Sequence, residues 1–102
     1  MEIFLDVAKG LNKRFPDGNQ PFQIITRLAE ECGELAREVN VWEGTGIKRQ
    51  KHGAPSKEKL AGEVKNVLTC ALQVALYYEV EEELSESIRT SYLRLQSEGH
   101  LK

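Results

Sequence analysis

The strongest constraint in this sequence is the run from about Phe22 to Glu43, where apolar residues recur at alternating steps of three and four. Ile25, Leu28, Cys32, Leu35, Val39 and Trp42 fall on one stripe of a helix. At 3.6 residues per turn, Glu31 stands roughly 70° to one side of that stripe and Glu34 roughly 130° to the same side. Two carboxylates one turn apart, at the border of a buried face, suit a hard cation. A charged helix flank is the plainer alternative.

A second run repeats the pattern. Leu60, Val64, Val67, Ala71, Val74 and Tyr78 make the stripe of a helix over about 57–78, with Ser56 as its N-cap and Glu58 placed for the helix dipole. Glu63 and Asn66 lie roughly 60° and 120° from the centre of this stripe, in the same rotational sense as Glu31 and Glu34. Side chains displaced in one sense emerge on the same side of an antiparallel helix pair, and on opposite sides of a parallel one. Antiparallel packing therefore gathers Glu31, Glu34, Glu63 and Asn66, provided the register aligns. Sequence supplies the rotation and not the register.

The flanking segments are helical too. Ile3, Phe4, Val7 and Leu11 predict a short helix over about 2–14, ended by Phe15-Pro16-Asp17-Gly18-Asn19. Pro21 opens the second helix and Trp42-Glu43-Gly44-Thr45-Gly46 closes it. Leu84, Ile88, Tyr92 and Leu95 predict a fourth over about 82–97. No Gly or Pro separates it from the third; the break is expected near Glu79–Glu81, with one long kinked helix as the alternative. No strand signal or repeat is present, and 102 residues make one domain, 1–102. The expectation is an all-α fold, an antiparallel bundle of four to five helices completed by dimerisation. Ile24, Ala36, Leu68, Leu72 and Ala75 lie off the main stripes, and one protomer of this size can hardly cover them as well.

Composition removes several classes. A formal net charge of −2 leaves no basic excess for a nucleic acid polymer. No apolar run has the length of a membrane span. Glu2 and Asp6 stand where a signal peptide is basic, and Cys32 and Cys70 read as reduced, mostly buried thiols, so a cytoplasmic chain is expected. A carboxylate-bridged di-iron bundle needs a His three residues after a helical Glu; neither His52 nor His100 meets this.

The residues Arg27-Leu28-Ala29-Glu30-Glu31-Cys32-Gly33-Glu34-Leu35, followed by Gly62-Glu63-Val64-Lys65-Asn66-Val67-Leu68, resemble the paired E-E-x-x-E and E-x-x-D motifs of the MazG family. These are all-α nucleoside triphosphate pyrophosphohydrolases. The likeness spans roughly Phe15 to Tyr78. It implies a tight homodimer or dimer of dimers, with Mg²⁺ or Mn²⁺ held by Glu31, Glu34, Glu63 and, in fourth place, Asn66. It also implies cleavage of a nucleoside triphosphate between the α and β phosphates, giving monophosphate and pyrophosphate. Glu31, Glu34 and Glu63 are then catalytic as well, one of them orienting the attacking water. Three places are candidates for substrate contact. Glu30 points roughly opposite the stripe, and Trp42 fits nucleobase stacking or core packing. Lys48, Arg49 and Lys51, with His52, form a basic loop suited either to clamping phosphates or to being a solvated connector.

One position departs from the family pattern. Its aspartate is Asn66 here, and the only aspartates, Asp6 and Asp17, stand far from that helix. An Asn carbonyl ligates a hard cation without contributing charge. Weaker metal binding, aided by the substrate's own phosphates, is expected. The alternative is a non-catalytic protein of the same fold that binds nucleotides or a partner chain.

Overall fold

A computed structural model describes residues 2–44 and 54–101. It contains α1 (Glu2–Arg14), α2 (Pro21–Trp42), α3 (Lys57–Tyr77) and α4 (Glu81–Ser97). No strand occurs among the described residues, so the fold class is all-α. Among them, no helix is long and apolar enough to cross a membrane.

The helix ends follow from local chemistry. Pro21 sits in the first turn of α2, where its missing N–H costs nothing. The Gln23 side chain accepts from the Gln20 backbone N–H at 3.0 Å, and Ser56 Oγ accepts from the Lys59 N–H at 3.2 Å to cap α3. Gly44, at φ 70, closes α2. The break between α3 and α4 is a true chain reversal, not a kink. The Glu79 N–H donates to the Leu76 carbonyl at 3.2 Å and the Val80 N–H to that of Ala75 at 3.0 Å. This pair of bonds is the Schellman motif, which needs a left-handed residue at its centre. Glu79 occupies that position at φ 55, where glycine is usual.

α2 packs along α3 and α1 also packs on α3, whereas α4 meets α3 only marginally. α2 and α3 run in opposite directions. Arg27 reaches Gln73 at 3.2 Å, while Glu31, Arg37 and Glu38, further along α2, all act on Glu63, nearer the start of α3.

The buried faces differ from the expected stripes. On α2 the fully or nearly buried residues are Ile24, Glu38 and Val41, while Ile25, Cys32, Val39 and Trp42 are exposed. The inward face is thus turned by about one residue, or roughly 100°, bringing Glu31 into the helix–helix seam in place of Cys32. α3 behaves alike: Thr69, Cys70, Leu72, Gln73 and Ala75 are buried, and Val64, Ala71 and Tyr78 exposed. On α1, Ala8 is buried while Ile3, Phe4 and Val7 face out. Ile24, Leu72 and Ala75, taken above as surplus, are therefore core, Ala36 and Leu68 stay exposed, and of the apolar stripe of α2 only Leu28 and Leu35 are half-buried. The reason is polar. The Arg27 guanidinium bonds Gln73 of α3 as well as Gly18 and Asn19 of the preceding turn, and the face of α2 that lets it do so leaves the apolar stripe turned outward. Cys70 is buried as expected; Cys32 is exposed, correcting that expectation.

Candidate metal centre

The site is assembled where the middle of α2 meets the first half of α3. Glu63 is its most constrained member. Its Oε2 is buried and has no hydrogen-bond partner among the described residues, and its carboxyl is hydrogen-bonded to that of Glu31. Burial pushes the Glu63 carboxyl above its ordinary value, and the bond to Glu31 raises it further. The negative charges of Glu31 and Glu38 add to the rise; the Arg37 guanidinium opposes it.

Glu34 is placed differently. Its carboxylate pairs with the Arg37 guanidinium one turn along α2, about a third exposed on both sides. Arg37 also has its Nε buried without a hydrogen-bond partner. Among the described residues, no three His, Cys, Asp or Glu side chains stand together in a way that would hold a metal ion. Positive charge reaches the carboxylates here from Arg37.

A cavity of about 230 Å³ opens beside the carboxyl pair, lined among others by Phe15, Asn19, Arg27, Glu31, Asn66 and Gln73. Asn66 and Glu31 thus face one space, with Glu63 one turn before Asn66 on α3. Arg27 braces the wall. It donates to the Gly18 carbonyl at 2.6 Å, to Asn19 Oδ1 at 3.2 Å and to Gln73 Oε1 at 3.2 Å. Gln73 in turn donates to Asn12 Oδ1 on α1 at 2.9 Å. One guanidinium so ties the α1–α2 turn, α2 and α3 together. Cys70 lies against this network, and burial pushes its thiol up while Arg27 acts the other way.

Of the residues singled out from sequence, Glu31, Glu63 and Asn66 come together, and Glu34 is turned to Arg37. Glu30 is exposed on α2. Trp42, at the end of α2, is 37% exposed, which does not match core packing. Lys48, Arg49, Lys51 and His52 lie outside the described residues. Sequence reading passed over Glu38, only 7% exposed, together with Arg27, Arg37 and Gln73. Glu38 was findable: it follows Glu31 by seven residues and Glu34 by four, so it shares their face.

The donor set is chemically apt for a small hard cation. Glu31, Glu63 and the Asn66 carbonyl offer oxygen only, and the unpartnered Glu63 Oε2 is an acceptor lacking a donor. Glu34 joins them only by leaving Arg37. No protein-family model matches the chain, and neither a curated protein nor a solved structure matches it.

Proposed function

We propose that this chain is a Mg²⁺-dependent nucleoside triphosphate pyrophosphohydrolase of the MazG type, with Asn66 weakening its metal site. The observation that carries the reading is the buried, unpartnered oxygen of Glu63 beside Glu31, next to a cavity that Asn66 also lines. A buried acceptor with no donor is costly in a folded protein and asks for a reason. Ligation of a cation is one that also explains the neighbouring carboxyl.

Glu31, Glu63, Asn66 and, once free of Arg37, Glu34 would hold the metal, which supplies charge neutralisation on the phosphate oxygens. The protein's own residues do the rest. A carboxylate of the cluster takes a proton from water as its oxygen bonds to phosphorus. The bridging P–O bond breaks, and pyrophosphate leaves with the electron pair. Arg37, when released, offers a planar fork of N–H donors to a phosphate. The cavity walled by Phe15, Asn19 and Arg27 is below the roughly 300 Å³ that encloses a drug-sized ligand. It suits one ring of a substrate and not a whole nucleotide.

A second reading is favoured by Asn66 and by the Glu34–Arg37 pair: a protein of this fold that binds nucleotides or a partner chain and does not hydrolyse. A panel of nucleoside triphosphates with Mg²⁺ and Mn²⁺, scored for pyrophosphate release, separates the two. Turnover that rises at least tenfold in Asn66→Asp and disappears in Glu63→Gln supports the enzyme. Silence of both the natural chain and Asn66→Asp supports binding alone.

A further inference from the structure

Arg37 is a cation set among acids. It follows Glu34 by three residues and precedes Glu38, and between Arg27 and Trp42 α2 carries no other Lys or Arg. Its guanidinium holds the Glu34 carboxylate. It also acts on the Glu63 carboxyl across the seam, opposing the rise that burial, Glu31 and Glu38 produce. Arg37 thus does for these carboxylates what a bound cation does.

Two atoms of the seam are left over, and they are opposite in kind. Arg37 Nε is a buried donor with no acceptor among the described residues, and Glu63 Oε2 is a buried acceptor with no donor. Neither serves the other, and each is costly to leave unpaired. A bare cation relieves the Glu63 oxygen but leaves the Arg37 N–H unpaired and sets a second positive charge beside the guanidinium. An anion alone relieves Arg37 but meets the carboxylates of Glu31, Glu34, Glu38 and Glu63. A ligand that carries a cation together with anionic oxygens satisfies both atoms at once.

The exchange this requires is downhill. Glu34 and Arg37 pair one turn apart on a single helix, each about a third exposed, and such pairs hold weakly in water. Bonds from a guanidinium to phosphate are charge-assisted and form two at a time. A phosphate oxygen therefore displaces Glu34 from Arg37, and the released carboxylate becomes available to the metal.

We propose that the seam takes its metal as a metal–oligophosphate complex, with Arg37 binding the phosphate end and, until phosphate arrives, disfavouring a bare cation by holding Glu34. This rests on the metal-binding reading given above and adds what the ligand must be. Metal and phosphate each strengthen the binding of the other, because such coupling is reciprocal.

Calorimetry with Mn²⁺ alone and with preformed Mn²⁺–tripolyphosphate tests it, on the natural chain, Arg37→Gln and Arg37→Lys. The natural chain is expected to bind the complex at least tenfold more tightly than the bare ion. In Arg37→Gln the two ligands are expected to move in opposite directions, the bare ion binding several-fold tighter and the complex several-fold weaker. Arg37→Lys keeps the charge without the planar fork and is expected to fall between; if Arg37→Gln loses its helical circular dichroism, this variant decides. A merely structural role for Arg37 moves both ligands the same way, and that result overturns the proposal. So does a natural chain that binds the bare ion as tightly as the complex, or that binds neither. The hydrolase reading fails separately. The opposed shifts, with no pyrophosphate released by the natural chain or by Asn66→Asp, would remove that reading and leave this one. Turnover that Glu63→Gln abolishes, without the opposed shifts in the Arg37 variants, would do the reverse.

Discussion

Glu63 carries two burdens at once, a desolvated oxygen and the neighbouring carboxyl of Glu31, and both have measurable consequences. Its carboxyl is raised above the ordinary 4.5 in the folded chain. Between that value and the raised one, the folded state binds more protons than the unfolded state. Stability contributed by this group is therefore complete below about pH 4.5 and is lost as pH rises through the folded value. Urea midpoints of the metal-free protein in chelator are expected to fall over that window, and Glu63→Gln is expected to flatten the fall. Arg37 gives the second test at this scale. It neutralises Glu34 and acts on Glu63, so it competes with any cation for the same carboxylates. Arg37→Gln is expected to tighten Mn²⁺ binding several-fold, read by calorimetry with the metal alone; unchanged or weaker binding would show that the guanidinium does not compete. Sequence made Glu31, Glu63 and Asn66 legible through spacing. It did not reveal that Glu34 pairs along its own helix, because a flexible side chain one turn from an arginine has two carboxylate-seeking partners to choose between.

The helices as units were read well, the break near Glu79–Glu81 included, and at most of their ends the reason is chemical. Pro21, Ser56, Gly44 and the Asp17-Gly18 turn are residues whose backbone preferences announce a boundary. The α3–α4 reversal is built on Glu79, which has no such preference and is held left-handed by the bonds to Leu76 and Ala75. A left-handed L-residue costs roughly 1–2 kcal/mol, part of which glycine gives back as unfolded-state entropy. Glu79→Gly is thus expected to stabilise the chain by about 0.5–1 kcal/mol and to raise the thermal midpoint by a few degrees. The same motif at the end of α4 already uses Gly99, at φ 80. What periodicity misjudged was rotation. An apolar stripe identifies a helix surely, but α2 and α3 turn inward the face on which Arg27 bonds Gln73, leaving Ile25, Val39 and Val64 outside. Hydropathy counts side chains singly, and a hydrogen bond across a seam is a property of pairs.

At the scale of the molecule, one protomer is a flat assembly measuring 44 × 43 × 20 Å, with a helix that hardly touches the rest. Anything that binds only the folded form shifts unfolding by mass action. A chain completed by dimerisation, as the sequence leads one to expect, has a thermal midpoint that climbs as protein concentration is raised from about 1 to 100 μM. A constant midpoint in the natural chain would mark the protomer as self-sufficient. The apolar surplus expected from sequence is found in part: Ala36 and Leu68 are exposed, whereas Ile24, Leu72 and Ala75 are buried, and α1, α4 and the outer row of α2 expose further apolar side chains.

The unequal setting of the two cysteines turns the chain into its own reporter. Cys32 stands open on the outer row of α2, and Cys70 is closed off beside Arg27 with its thiol held in the unreactive form. A maleimide dye added to the native protein therefore marks one defined spot, about midway along α2, while the inner sulfur waits for unfolding. Fluorescence from that spot follows what approaches the outer row of α2, and delayed labelling of the second sulfur times the opening of the core.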